Sequence, residues 1–158
     1  LSKLEFIDYC NNIHNKKYEY FIDKDYIFSD DYILMLNKEN NLIYKQLSSN
    51  HKKGINPTSI EKNSLIFKLN TIHNKKYNYE IDSETVYATD RIKIISKYSG
   101  DIVYYRVDRH LKGMCPNKVT IEYFKKRSTE IHNQKYDYSL IKDIDFWYVH
   151  TLKNKVEA

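Results

Sequence analysis

Five of the six histidines in this sequence recur at matched positions in two short motifs, and histidine is well suited to metal binding and to acid–base chemistry near neutral pH. The first motif contains His14, His73 and His132, and the second begins at His51 and His110. Brought together, these side chains could hold a metal ion or move protons. The spacing favours another interpretation, in which each histidine of the first motif ends a helix in its own copy of a repeat. The other two are then helix or turn residues.

The spacing of the two motifs defines a repeat of 59 residues. The first motif has the pattern Ile-His-Asn, then Lys or Gln, then Lys-Tyr-x-Tyr, and it occupies residues 13–20, 72–79 and 131–138. The second motif runs from a histidine to a proline and occupies residues 51–57 and 110–116. Two motifs that keep one period indicate a tandem repeat. The predicted domains are two full units, 1–59 and 60–118, and a truncated third unit, 119–158.

Each unit is predicted to form a helix, a short strand, a β-hairpin and a short helix, so the fold class is α+β, built from tandem small repeats. Before each first motif, three residues spaced four and then three apart share one helix face. These residues are Phe6, Cys10 and Ile13, then Leu65, Leu69 and Ile72, then Phe124, Ser128 and Ile131. Ser2 with Glu5, and Thr58 with Glu61, have the spacing of a capping box at a helix start.

The end of each helix and the strands that follow are also predicted by local patterns. A helix should end at each His-Asn pair, because asparagine tolerates the left-handed conformation found just past helix ends. The Lys-Tyr-x-Tyr segment alternates as a short strand does, with both tyrosines on one face. A hairpin is predicted from residues 91–96 and 101–106 around the turn 97–100, with 32–36 and 42–46 as the corresponding strands of the first unit. The short helix is expected near the histidine of the second motif.

The composition of the chain excludes several classes of protein. It has 158 residues, a net charge of +5 and 16 tyrosines. No apolar run approaches the roughly 18 residues that span a bilayer, and no signal-peptide pattern is present, so we expect neither a membrane protein nor a secreted one. Cys10 and Cys115 occupy non-equivalent positions and predict no disulfide. A phosphate loop, a nucleophile elbow and a zinc-protease helix are all missing, so we predict neither an enzyme nor a cofactor.

At these motifs the chain resembles a KYDYS-type repeat domain of phage and giant-virus proteins, often found beside homing-type or very-short-patch-like endonuclease domains. The family pattern has a helix containing phenylalanine that ends in His-Gly-x-Lys-Tyr-Asp-Tyr-Ser. A hairpin with Cys-x-x-His-Gly follows, and then His-Leu-x-Gly-x-Gly-Cys-Pro-x-Cys. Residues 124–132 and 135–139 match the first part of this pattern, and residues 110–116 match the last part. The resemblance covers nearly the whole chain and implies a virus-encoded protein.

The family pattern also implies a metal site of cysteine and histidine, which is degenerate in this chain. In the second unit the four ligand positions fall on Ser96, Ser99, Cys115 and Lys118. In the first unit they fall on Asn37, Asn40, Asn56 and Ser59. Zinc takes about four nitrogen or sulfur ligands in a tetrahedron. We therefore expect that no metal is bound and that packing replaces its contribution to stability.

The second unit carries most of the excess positive charge, with 11 basic and 7 acidic residues. Arg91, Lys93 and Lys97 occupy odd positions of the predicted hairpin and could share one face, with Asp101 and Asp108 as the only acidic neighbours expected. Basic side chains interleaved with tyrosines are typical of surfaces that bind phosphates and stack on bases. The alternative is an ordinary solvated sheet face. The predicted nucleic-acid-binding residues are Arg91, Lys93, Lys97, Tyr98, Tyr104, Arg106, Arg109 and Lys112.

These observations lead us to expect a non-enzymatic viral accessory protein that binds nucleic acid through its repeats, DNA more readily than RNA. It could equally be the DNA-binding part of a larger endonuclease. The alternative is a protein-interaction or virion-assembly module that binds a host or viral protein. A third interpretation is a nuclease fragment whose catalytic part lies outside these residues. A virus-encoded protein of this kind is expected in the host cytoplasm or in the virion.

Overall fold

Helix, strand, hairpin and short helix follow one another twice along the chain. The computed structural model describes residues 1–116, of which Leu1–Cys115 form one compact unit. The predicted α+β class is confirmed, with four helices and antiparallel sheets in this part of the chain. In chain order the elements are α1 (Lys3–Ile13), β1 (Tyr18–Phe21), β2 (Tyr32–Asn37), β3 (Ile43–Leu47), α2 (Ser48–Lys52), β4 (Ser59–Glu61), α3 (Lys62–Ile72), β5 (Tyr77–Glu80), β6 (Thr85–Val86), β7 (Arg91–Ser96), β8 (Ile102–Arg106) and α4 (Val107–Leu111).

Five elements of the first half correspond one to one with five of the second. We call α1, β1, β2, β3 and α2 the first set, and α3, β5, β7, β8 and α4 the second set. Each element of the second set begins and ends 59 residues after its counterpart in the first. The predicted third unit, residues 119–158, lies outside the described residues, and so do Phe124, Ser128, Ile131 and His132.

Two short strands that the sequence patterns did not predict join the halves. One sheet has the strand order β1-β2-β3-β4-β6, and the other has the order β5-β7-β8, with antiparallel neighbours throughout. Tyr44 of β3 lies opposite Ile60 of β4, which lies opposite Val86 of β6. The predicted boundary between residues 59 and 60 therefore falls inside β4, a strand bonded on both sides.

The two long helices begin at different kinds of cap. At α1 the predicted capping box is present, because the Glu5 amide donates to the Ser2 hydroxyl at 3.2 Å and the Ser2 amide donates to the Glu5 carboxylate at 3.0 Å. The prediction that Thr58 caps α3 is wrong. The cap is Glu61, whose carboxylate accepts from the amides of Asn63 and Ser64 at 2.9 and 2.7 Å. Residues 59–61 are extended in β4, so the helix starts three residues later than predicted.

Both long helices end as predicted, at a histidine followed by residues in the left-handed conformation. His14 and His73 are the C-terminal caps of α1 and α3. After His14, Asn15 and Lys16 have φ values of 53° and 55°. After His73, Asn74 and Lys75 have φ values of 52° and 57°. In both halves a lysine therefore occupies a left-handed position that favours glycine.

The core consists of two clusters, one under each long helix. Phe6 and Cys10 of α1 are fully buried against the inner face of β1 and β2, and Leu65 and Leu69 of α3 are fully buried in the second cluster. The prediction that Ile13 completes the buried face of α1 is wrong, since it is 38% exposed. The buried face instead continues to the helix cap, where the imidazole turns inward.

Candidate nucleic-acid interface

The outer face of the β5-β7-β8 sheet brings together four of the eight predicted binding residues. Residues directly opposite on paired antiparallel strands project to the same face. Arg91 lies opposite Arg106, and Lys93 lies opposite Tyr104, whose side chain is 60% exposed. Three cations and an aromatic ring therefore share a surface that the core does not occupy.

Two of the three cations on this face are paired with carboxylates. The Lys93 ammonium lies 2.7 Å from a carboxylate oxygen of Glu80, which is opposite it on β5. The expectation that only Asp101 and Asp108 are acidic neighbours is therefore wrong. Arg106 makes two bonds to Asp108, at 2.7 and 3.1 Å. These hydrogen bonds raise the pKa of Lys93 and of Arg106 and lower the pKa of Asp108, so all remain charged while their charges largely cancel.

Four other predicted cations remain exposed and make no ion pair with any residue in the range 1–116. They are Arg91, Lys97, Arg109 and Lys112. Lys97 lies in the β7–β8 turn beside Tyr98, which is fully exposed. The other three lie at the opposite end of the hairpin, where α4 directly follows β8. The unpaired cations therefore fall into two groups at the two ends of β7, roughly 20 Å apart, the length of six strand residues at about 3.3 Å each.

A buried histidine pair joins α4 to the end of α3, and one of its rings is hydrogen-bonded to β5. The rings of His73 and His110 are stacked with centroids 3.7 Å apart, and the His73 Nε2 donates to the His110 carbonyl at 2.8 Å. His110 donates from Nδ1 to the Met114 carbonyl, so its Nε2 is free to accept from the Tyr79 hydroxyl at 2.8 Å. Burial lowers the pKa of His110 to about 4, with the adjacent His73 as a further cause, so the ring is neutral at pH 7.

The first set contains the same arrangement. His14 and His51 are stacked with centroids 3.9 Å apart, and Tyr20 and Gln46 bond the two ring nitrogens of His51. Burial lowers the pKa of His51 to about 3. The interpretation of His14 and His73 as helix ends is thus confirmed, and His51 lies within a helix as expected. Sequence reasoning missed the contact itself, although the two histidines of each pair are separated by the same 37 residues.

Four of the eight predicted degenerate metal positions cap turns. In the β2–β3 turn, the side-chain oxygens of Asn37 and Asn40 accept from backbone amides at 2.9 and 3.0 Å. Ser96 and Ser99 do the same in the β7–β8 turn, both at 3.3 Å. The Cys115 sulfur lies 3.6 Å from the His73 Nδ1. Asn56 accepts from the Tyr18 hydroxyl at 3.4 Å, Ser59 begins β4, and Lys118 lies outside the described residues.

Among residues 1–116, no three His, Cys, Asp or Glu side chains are grouped as a metal site would require. No helix in this range is both long enough and apolar enough to cross a membrane. In comparisons with protein-family models, with curated proteins and with solved structures, nothing matches this chain.

Proposed function

We propose that this chain binds nucleic acid, DNA in preference to RNA, through the outer face of the β5-β7-β8 sheet and the turn and helix at its two ends. The observation that carries the proposal is the strand register, which places Arg91 opposite Arg106 and Lys93 opposite Tyr104 on one solvent-facing surface. Lysine and arginine neutralise backbone phosphates, and exposed tyrosine rings stack on bases. The preference for DNA follows from the resemblance to domains that accompany endonucleases.

The proposal extends to the organisation and setting of the chain. We take it to be a tandem array of a 59-residue unit, with units 1–59 and 60–118 and a truncated unit 119–158. The recurrence of five elements at one interval supports this organisation. The KYDYS-type resemblance supports a non-enzymatic, virus-encoded accessory protein of the host cytoplasm or the virion, or the DNA-binding part of a larger endonuclease.

The number of unpaired cations determines how steeply the affinity should fall as the salt concentration rises. Arg91, Lys97, Arg109 and Lys112 can each contact a phosphate without first breaking an ion pair among the described residues. Four such contacts correspond to a loss of affinity of about 10²-fold between about 50 and 200 mM salt.

A fluorescence-anisotropy titration with labelled single-stranded and double-stranded DNA and RNA, at these two salt concentrations, tests this function. Binding to DNA with the expected salt dependence supports it. No binding at the lower concentration, or binding that does not respond to salt, refutes it. Tighter binding to RNA refutes the preference for DNA.

A second function, protein interaction, is favoured by the outer face of the other sheet. Phe21 and Leu34 lie opposite each other on β1 and β2, and Tyr32 projects to the same face. Their side chains are 46%, 37% and 66% exposed. An exposed apolar group of this kind is typical of an interaction surface.

Sedimentation velocity at low and high salt tests for a salt-tolerant assembly through this face. Leu34→Asp should abolish such an assembly. Leu4→Asp, at a 74% exposed site on α1, is the matched control and should have no effect. Equal effects of the two changes would exclude this face.

A further inference from the structure

A cleft of about 520 Å³ lies between the start of α1, the segment 26–29 and α2. Large apolar side chains line it and remain exposed to solvent. Leu1 is 37% exposed, Tyr9 is 48% exposed, and Tyr26 and Phe28 are 53% and 58% exposed. Such a concentration of exposed rings is unusual on a free surface and indicates a site for a partner.

In the second half the corresponding place is covered on the side of Ile60, the counterpart of Leu1, whereas Tyr87, the counterpart of Phe28, is 53% exposed. Leu1 exchanges backbone hydrogen bonds with Ile27, just as Ile60, which lies 59 residues later, pairs with Val86. The environments differ, however, because Ile60 is only 2% exposed. Another element of the chain therefore covers Ile60, whereas Leu1 is left open to solvent.

The covering element is the hairpin of β2 and β3. Its turn contributes Leu42, which is 3% exposed, to the core cluster around Ile60 and Leu65. Its edge strand β3 pairs with β4. Two further bonds attach it to α3, since the Ile43 amide donates to the Ser64 hydroxyl at 3.1 Å and the Lys68 ammonium donates to the Asn40 carbonyl. Docking thus uses one apolar residue at the tip, one strand edge and polar contacts at the rim.

We propose that the cleft of the first set is a docking site for a β-hairpin supplied by a different protein. The hairpin lies as β2–β3 lies on the second set, with an apolar tip residue in the cleft and an edge strand beside Leu1. This inference goes beyond nucleic-acid binding and does not depend on it. It rests on a docked example of the same geometry within the same chain.

The positive charges at the rim of the cleft indicate the chemistry of the partner. Lys52 corresponds to Leu111, which packs against the core of the second set. The Lys52 ammonium instead lies 5.4 Å from the centre of the Tyr9 ring, and Lys53 follows it on the same wall. A hairpin that fits this cleft therefore carries an acidic residue beside its apolar tip. Complementary charge of this kind selects among partners more than it strengthens binding.

The probe for this site is a backbone-cyclised peptide spanning residues 31–48, the hairpin that covers the equivalent place. Cyclisation lowers the entropy that a free hairpin loses on binding. The peptide is titrated into the full chain by calorimetry and by amide NMR, without nucleic acid. We expect binding with shifts at residues 1–3 and 26–29. A peptide with Leu42→Asn should bind at least about tenfold more weakly, because the tip residue is the anchor.

The matched protein variants are Tyr9→Ala in the cleft, whose counterpart Lys68 bonds the docked hairpin, and Phe67→Ala at a 77% exposed site on α3. Both replace exposed rings, so both should fold, and thermal melting checks this. Tyr9→Ala should weaken peptide binding about tenfold, and Phe67→Ala should not change it. Absence of binding at about 1 mM peptide, or equal binding of the two peptides, overturns the proposal. Self-association that Tyr9→Ala abolishes would also overturn it, by assigning the cleft to a second copy.

Discussion

The imidazole rings of His73 and His110 are stacked at 3.7 Å with their planes inclined by 9°, and this contact joins the end of α3 to α4. His14 and His51 repeat it at 3.9 Å and 11°. His51 and His110 are fully buried with both ring nitrogens hydrogen-bonded. A proton added to either ring would enter a buried site whose hydrogen-bond partners are all neutral groups.

We predict that the protein loses stability as the pH falls from about 7 to about 4. The folded-state pKa values of His51 and His110, about 3 and about 4, lie below the ordinary value of 6.5. The unfolded chain therefore takes up protons first, and acid favours unfolding. Each histidine should contribute a loss of about 1.6 kcal/mol between pH 6.5 and 5. Urea unfolding at a series of pH values measures this slope.

His51→Gln and His110→Gln should each flatten that slope, whatever they do to stability at pH 7. An NMR titration of the wild-type imidazole carbons provides an independent check that needs no variant. Resonances of His51 and His110 that titrate near pH 6.5 would contradict the prediction.

We predict that Glu80→Gln strengthens DNA binding. Removal of this carboxylate frees Lys93 to contact a phosphate, which should raise the affinity for DNA about tenfold near 50 mM salt. The affinity should also fall more steeply with salt, by the amount that corresponds to about one more phosphate contact. The matched control is Glu84→Gln, which removes the same charge from the pair with Lys45 on the other sheet. If the two variants bind equally tightly, net charge and not the position of Lys93 is responsible.

We predict that Lys16→Gly stabilises the fold by about 0.5–1 kcal/mol. Lys16 has a φ of 55°, a conformation that costs a side chain with a Cβ about 1–2 kcal/mol, and the greater freedom of unfolded glycine offsets part of the gain. Asn12→Gly, in the last turn of α1, should instead destabilise by a few tenths of a kcal/mol. Chemical denaturation of the two variants distinguishes these signs, and destabilisation by both would rule out the argument.

We predict that Glu61→Ala destabilises the protein by about 1 kcal/mol, because two amides at the start of α3 lose their acceptor. Thr58→Ala should have little effect, although the sequence pattern assigned the cap to Thr58. Thermal unfolding of both variants decides between the two caps. A larger effect of Thr58→Ala would show that Thr58, and not Glu61, caps α3.

The elements that the sequence predicted correctly are those whose pattern is local. The end of α1 follows from one His-Asn pair, and the β7–β8 hairpin follows from alternation on either side of a turn. The strands β4 and β6 have three and two residues, too few to show a period. They exist because Ile60 has partners on both sides, and one of these partners lies in the other half of the chain.

The sequence was enough to predict which residues share the candidate interface, but not which of its cations are paired with carboxylates. The odd-numbered spacing of Arg91 and Lys93 was enough to place them on one face. The pairing of Lys93 with Glu80 was not predictable, because it depends on the register between β5 and β7, strands that are not consecutive in the sequence. The stacked histidines were missed for the same reason, since a local pattern predicts where a residue lies but not what it touches.

The position of β4 couples the melting of the two halves. Because it is bonded to β3 on one side and to β6 on the other, unfolding of either half exposes an edge and a part of the core in its neighbour. In arrays with such nearest-neighbour interfaces, cooperativity extends across the boundary between units. Residues 1–116 are therefore expected to melt in one transition, and a protease cut near residue 59 should destabilise both halves and not release two intact domains.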